Sequence, residues 1–301
     1  MNLVLSFLIV FTIEGVVFGE PEIKPSPDNA LNLIRLKEKS IEAYKANLYK
    51  GIPLANLLEG VEFKGHIANL YAIIIGEKDT VVASLSEIMY PWNFSEVIYA
   101  TEREIIVPAG LKDKIRPKRD KIARIIFAED NYPVRIVDNP AKLVVKRGIP
   151  RTEKKDNSNM YAPYITLKYG EKNWKITEKI LRALRKVDIE RVIYGYHRGF
   201  HGKCIYSGVP MRDIINKFRI NVKHPQRTVI HVKAPDGYTV VFSWYELVNS
   251  KKSDLYIIAD KVDGNPLLRG EGKFRLIAHG DFFADRSVRS VEEIIIEEVK
   301  F

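Results

Sequence analysis

The sequence predicts an α+β protein made of two tandem copies of one mixed β-sheet domain with short helices. Two observations predict it. The first is that three blocks recur in the same order. Tyr49-Lys-Gly51-Ile-Pro53-Leu-Ala-Asn-Leu57-Leu returns 157 residues later (206 − 49) as Tyr206-Ser-Gly208-Val-Pro210-Met-Arg-Asp-Ile214-Ile. Thr80-Val-Val-Ala-Ser84-Leu-Ser-Glu87-Ile returns as Thr239-Val-Val-Phe-Ser243-Trp-Tyr-Glu246-Leu, and Arg124-Ile-Ile-Phe-Ala-Glu-Asp130 as Arg275-Leu-Ile-Ala-His-Gly-Asp281. Chance matches have no reason to keep order and spacing, so the blocks argue for a duplicated unit. The second observation is that apolar runs are short, of mixed spacing, and separated by a few short helical patterns, which excludes a doubly wound parallel sheet. No glycine-rich loop follows a predicted strand, so neither a P-loop nor a dinucleotide fingerprint is present.

The chain has 301 residues, enough for two domains of roughly 130 residues that each bury a core. Copy one is placed at 28–148, a polar, turn-rich linker at 149–160, and copy two at 161–301. In copy one, Leu31, Ile34, Ile41 and Tyr44, with Ser26, Asp28 or Asn29 as caps, predict a helix over 28–47. Pro53 suits a first helical turn and opens a short helix over 52–58. Strands are predicted at 70–75, 80–83, 97–99, 105–107, 123–127 and 142–145. In copy two a strand at 164–168 precedes a helix at 177–186, with Ile180, Leu181 and Leu184 on one face. A strand at 192–194 and a helix at 210–218 follow, then strands at 229–232, 238–242, 256–259, 274–278 and 294–299. Asp236-Gly237-Tyr238 is a tight turn between strands, and Trp244 and Tyr245 belong in the core.

Residues 3–18 are apolar apart from Ser6, Thr12 and Glu14, and Val17-Phe-Gly19 ends in small-residue cleavage form. This is the pattern of a secretory signal peptide over 1–19. The expected location is periplasmic or secreted, with membrane association only through that segment if it is retained. No other stretch reaches the roughly 18 apolar residues that span a bilayer. Cys204 is the only cysteine, which rules out an intrachain disulfide. It reads as a small, half-buried hydrophobe, against the alternatives of a reactive thiol or a metal ligand. The net charge is +10, concentrated at Lys112–Arg124 and Lys142–Lys155. Nucleic acid is a poor partner for an exported chain; anionic lipid, polysaccharide or an acidic protein suits better. The simplest reading of both stretches is a solvated loop without a ligand. A single glutamine, Gln226, amid abundant Lys, Glu, Ile and Val hints at a heat-adapted source.

Copy two also carries Tyr206-Ser-Gly-Val-Pro-Met211, Asp236-Gly-Tyr238, Gly264-Asn-Pro-Leu267, Glu271-Gly-Lys-Phe-Arg275-Leu and Arg286-Ser-Val-Arg289. In this ordered set it resembles the molybdopterin-binding domain of the sulfite oxidase family, which includes the exported methionine-sulfoxide reductase catalytic subunit. The resemblance covers nearly all of 164–299; copy one shares in it only through the duplicated blocks. It implies a sulfite-oxidase-type fold and a molybdopterin cofactor, with the metal on a cysteine about a dozen residues before the glycine of Gly-Val-Pro. Counting back from Gly208 lands on Tyr196 (208 − 12), whereas Cys204 precedes Gly208 by only four. A phenol is a poor substitute for a soft thiolate ligand. The histidine of the family's His-Gly-x-Pro is Glu271 here, its proline is missing, and copy one has no cysteine. Exported members of such families normally cross the membrane folded behind a twin-arginine signal, and no Arg-Arg precedes this apolar run.

By the same resemblance, Arg275, Arg286 and Arg289 stand where the family directs basic residues toward the cofactor's phosphate and pterin. The alternative is that Arg275 ends a buried strand in an ion pair while the other two face solvent. Tyr196, His197, Arg198 and His201 fall in the loop that would line the ancestral cleft. His197 and His201 have a spacing usable by metal ligands on a helix, but Gly195, Gly199 and Gly202 argue against a helix there. Ordinary loop histidines, a haem or metal site, and residual binding of a small anion all stay open. His224, His231 and His279 receive no role, and Ser84, Ser207 and Ser243 lack the context of a nucleophile. The cofactor-binding candidates are Tyr196, His197, Arg198, Arg275 and Arg289. The expected function is that of an exported, non-catalytic protein. It binds a small anionic ligand or a protein partner in an envelope redox system. An active molybdopterin-dependent oxidoreductase with atypical ligation, and a haem or metal protein, are the alternatives.

Overall fold

The short apolar runs fold as strands that outnumber the helices, an α+β arrangement. The computed structural model describes residues 32–37, 46–91, 96–106, 118–131, 134–150, 160–195 and 199–301. The first half runs β1 (Asn32–Lys37), β2 (Ala46–Pro53), α1 (Leu54–Leu57), β3 (Leu70–Ile75), β4 (Thr80–Ser84), α2 (Leu85–Met89), β5 (Val97–Ile106), β6 (Arg119–Phe127), β7 (Ile136–Asp138) and β8 (Lys142–Arg147). The second runs β9 (Ile165–Tyr169), β10 (Lys172–Ile176), α3 (Glu178–Arg182), β11 (Val187–Gly195), β12 (Gly199–Pro210), α4 (Met211–Lys217), β13 (Thr228–Lys233) and β14 (Thr239–Ser243). A π turn at Tyr245–Asn249 leads to β15 (Tyr256–Val262), β16 (Asn265–Pro266), β17 (Arg275–Ala278) and β18 (Glu293–Glu298). In the first half the sheets are β1-β2-β5-β6-β7 and β4-β3-β8. In the second they are β11-β12-β15-β16, with β17 also on β15, and β10-β9-β18-β13-β14. Among the described residues no helix is long and apolar enough to cross a membrane.

One local device occurs in both halves. β2 slips register against β5 between Lys50 and Gly51, and β12 slips against β15 between Ser207 and Gly208. At each slip the glycine lies on the neighbouring strand's backbone. A Cβ on Gly51 would meet the carbonyl oxygen of Tyr99 and come within 2.6 Å of Ala100 Cα. One on Gly208 would meet Ile258 O and lie 2.6 Å from Ala259 Cα. Only glycine allows that approach. Two residues on, Pro53 and Pro210 still pair within their strands and cap the helices that follow.

Several expectations need correction. The predicted helix over 28–47 is a strand where it is described: β1 pairs with β2 along its whole length, from Asn32↔Gly51 to Lys37↔Ala46. The edge of β2 needs backbone partners, and satisfying that row of N–H and C=O groups outweighs a weak helical periodicity. Its cap candidates Ser26, Asp28 and Asn29 lie outside the described residues, as do the signal segment 1–19 and linker residues 151–159. The strands expected at 97–99 and 105–107 are one strand, β5, irregular between Ala100 and Glu102; Val107 is outside the description. The helix expected over 177–186 stops at Arg182. The basic run ending at Arg124 is, from Arg119 onward, a strand rather than a loop, with Arg119 on Glu104 and Arg124 on Asp138. β2, β7, β10, the 12-residue β12 and β16 were not anticipated as strands.

The halves meet face to face. Ile73 of β3, Val82 of β4 and Val144 of β8 pack on Val229 of β13 and Val241 of β14. Behind this apolar layer lie two buried arginines. Arg135, 1% exposed, donates from Nε to Asp130 (2.9 Å), from Nη2 to Glu87 (2.6 Å) and from Nη1 to Ser243 Oγ (3.1 Å). Arg286, 0% exposed, donates from Nε to Asp281 (2.6 Å), from Nη2 to Glu246, and from Nη1 to Ser84 Oγ (2.9 Å). The serines are exchanged across the seam. Ser84 caps its own turn at Glu87 N (3.1 Å) while its hydroxyl donates to Glu246 of the other half (2.9 Å). Ser243 caps Glu246 N (3.1 Å) and donates to Glu87 (2.9 Å). Two single bridges, Pro91↔Asp281 and Asp130↔Ser250, cross between the halves in the same reciprocal manner.

Removing one member of such a network strands a buried charge, at a cost of about 3–5 kcal/mol. Arg286→Met is therefore expected to lower stability by roughly that amount in chemical unfolding, while Arg289→Met, on an exposed side chain, changes it by less than about 0.5 kcal/mol. The seam also titrates. Two guanidiniums face four carboxylates, and burial pushes Glu87 up to about 7 and Asp281 up to about 6. Both carboxyls hold protons in the folded chain that they lose at about pH 4 when unfolded. Their stabilising contribution is thus complete below about pH 4 and lost as pH rises through about 6–7. The melting temperature should fall by roughly 5–10 °C between about pH 5 and 8, and Glu87→Gln should flatten the fall. Calorimetry across that range checks it.

Candidate functional site

Arg275 opens β17 on the edge of β15, opposite Ala259. A short four-residue strand between two turns leaves its guanidinium under the β12 sheet, 7% exposed. There it pairs with Glu271, donates to Tyr206 Oη at 2.9 Å, and lies 5.2 Å from the centre of that ring. Glu271 stands where the family's histidine was expected, so a carboxylate neutralises the cation from within. Cys204, half-buried on β12 opposite Arg191, packs against the satellite cluster of Ile189, Tyr206, Ile257, Ala259 and Ile277. Burial pushes its thiol up, only partly offset by a hydrogen bond from Tyr206. Burial also raises the Tyr206 phenol.

Tyr196, His197 and Arg198 lie outside the described residues. His201 is not in that loop but on β12, exposed, between the left-handed glycines Gly199 (φ 72°) and Gly202 (φ 122°). Arg289 is exposed. Arg286 does not face solvent; Asp281 and Glu246 hold it at the seam. Of the expected cofactor set, the structure thus describes Arg275, which is buried, and Arg289, which is exposed. The described residues contain no group of three or more His, Cys, Asp or Glu placed to hold a metal ion. Besides Arg135 at the seam, a second buried arginine escaped the sequence reading altogether. Arg191, 1% exposed, donates to the carbonyls of Asp281 (2.7 Å) and Phe283 (3.0 Å), and burial lowers its pKa.

The open feature on this side of the second half is a groove of about 600 Å³ between α3, β15 and the turn before β17. Arg182, Lys186, Lys261 and Lys273 line it together with Glu178 and Asp260, two more cations than carboxylates (4 − 2). Glu178 bridges Lys273 (3.1 Å) and Arg182, and Asp260 holds Lys186 (2.6 Å). Tyr161, Pro266, Leu267 and Phe274 supply apolar walls. The groove was legible only in part. Lys273 sits inside the Glu271-Gly-Lys-Phe-Arg275 block, but nothing in sequence places α3 opposite it.

No family model matches the chain, and no curated protein does. Among solved structures it is similar to the crystal structure of the sulfane dehydrogenase SoxCD from Paracoccus pantotrophus, at 16% identity and a TM-score of 0.36. The likeness covers 52% of this chain and 42% of that one, so the chain spans less than half of its neighbour's length.

A thiol with a raised pKa in an apolar cluster reacts slowly, because the thiolate is the nucleophile. Cys204 is expected to alkylate with iodoacetamide at neutral pH at least 10-fold more slowly than the same residue in denaturant. Mass spectrometry of timed samples measures the ratio.

Proposed function

We propose that this chain is an exported binding protein made of two tandem copies of the sulfite-oxidase-type domain, without molybdenum chemistry. The second copy takes a small anionic ligand, and the protein serves an envelope redox system. What supports the tandem reading is the recurrence of one pairing order. β2 lies between β1 and β5 as β12 lies between β11 and β15, and β3 pairs with β4 and β8 as β13 pairs with β14 and β18. Export is read from the apolar run at 3–18 and the Val17-Phe-Gly19 ending.

The resemblance implies a molybdopterin, and the described residues do not fit it. Holding molybdenum takes a thiolate free to point at the metal. Cys204 instead packs into an apolar cluster with its thiol pushed up. Holding a pterin phosphate takes a guanidinium whose charge is open to the ligand, whereas Arg275 is 7% exposed and already neutralised by a carboxylate. The observation that carries the reading is that Arg275 already has Glu271 and Tyr206 as partners. A protein partner is a second reading, favoured by exposed rings at the β11–β12 hairpin. Tyr194, Phe200 and Phe282 are 38%, 66% and 37% exposed, and Tyr194 stacks on Phe282 with centroids 5.6 Å apart.

Elemental analysis with pterin fluorescence, on protein purified from a host that makes the cofactor, tests the proposal. The expected result is molybdenum far below one atom per chain and no pterin emission. Near-stoichiometric molybdenum overturns it.

A further inference from the structure

We infer that the groove between α3 and β15 binds an organic anion with a compact apolar body, such as an aromatic or branched carboxylate or sulfonate. This rests on the small-anion reading above and adds the site and the chemical class.

Size is the first argument. A groove of about 600 Å³ falls within the roughly 300–1,000 Å³ of small-molecule sites, and is far more space than an inorganic oxyanion fills. Charge is the second. The lysines are not saturated: an ammonium has three donors, and the one ion pair of Lys186 is to Asp260 and that of Lys273 to Glu178 among the described residues. Lys261 is exposed and makes no ion pair among the described residues. The excess of two cations therefore stays available to a ligand. Wall chemistry is the third. Tyr161 is 56% exposed, and Pro266 and Leu267 continue the apolar lining above the buried Phe274. A ligand that meets both kinds of surface needs an acidic head for the lysines and an apolar body for the rings. Neither part alone matches the site, because a bare anion leaves the walls wet and a neutral hydrocarbon leaves the ammoniums without a counter-charge. The internal pairing of Arg275 fits the same picture. Its guanidinium, beneath the sheet, is not available to compete for the head group.

The test uses the full chain and three probes in isothermal titration: naphthalene-2-sulfonate, which has both parts; inorganic sulfate, which has charge alone; and 2-naphthalenemethanol, which has the body alone. Naphthalene-2-sulfonate is expected to bind at least 10-fold more tightly than either of the others. Lys261→Glu, on an exposed and unpaired side chain, is expected to weaken it at least 10-fold with an unchanged circular dichroism melt. Lys273→Gln should weaken it by a smaller factor, since that ammonium is shared with Glu178. Equal affinity for sulfate and naphthalene-2-sulfonate overturns the amphipathic class while leaving small-anion binding intact. Equal affinity for the alcohol overturns the role of charge. Binding indifferent to Lys261→Glu removes the groove as the site. Failure of both anions to bind overturns this inference and the small-anion reading together.

Discussion

The two halves depend on one exchange: each gives a serine hydroxyl to the other's buried glutamate. Ser84 and Ser243 each cap the turn that carries their own half's glutamate, then donate to the opposite one. A hydroxyl with one proton and two lone pairs can do both, and that capacity ties the local turn to the seam. Arg135 and Arg286 complete the arrangement by bonding their own half's carboxylates and the partner half's serine. Flat guanidiniums with donors in a fixed fork suit such sites better than lysine would. Rings support them from the side: Arg135 lies 4.0 Å from the centre of Phe127, and Arg286 lies 4.2 Å from that of Phe242. Such a network contributes little net stability, since desolvation offsets attraction. Its effect is on register. With four carboxylates and two guanidiniums buried together, any slip between the halves leaves a charge unpaired.

This seam orders the chemistry of the rest. Of the arginines that resemblance would turn toward a cofactor, Arg286 is held at the seam and Arg275 pairs with Glu271 and Tyr206, while Arg289 is exposed. The cations left for a ligand are mainly lysines on the open side of the second half, around α3 and β15. Glu271, four residues before Arg275, neutralises the guanidinium that β17 buries. Cys204 follows the same logic, since its place on β12 puts it among Ile189 and Ile257 and keeps the thiol protonated.

The recurrence of Gly-Ile-Pro and Gly-Val-Pro was visible at once, and its reason is the backbone contact at Gly51 and Gly208. The seam was half visible. Ser84-x-x-Glu87 and Ser243-x-x-Glu246 stand in the two copies of one repeated block, and a second interval, Asp130 to Arg135 and Asp281 to Arg286, recurs at five residues, its aspartates closing another block and its arginines beyond it. Pattern alone offers no way to know that a Ser-x-x-Glu cap also reaches across to the other half of the chain. The basic loop expected near Lys121 is a strand because Glu104 and Asp138 on neighbouring strands supply counter-charges, and partners distant in sequence carry no local signal.

The sequence by itself determined the α+β class, the strands from Leu70 onward other than β7, β10, β12 and β16, both glycine-proline entries to helices, and the absence of a family-type cysteine. These are local properties: periodicity, turn chemistry and residue identity act over a few positions. The tertiary structure alone decided that 32–37 is a strand, that Arg286 is buried rather than exposed, and that Lys261 and Lys273 share a groove with α3. Each of these rests on groups brought together from far along the chain, where burial and charge balance are set by neighbours the sequence does not name.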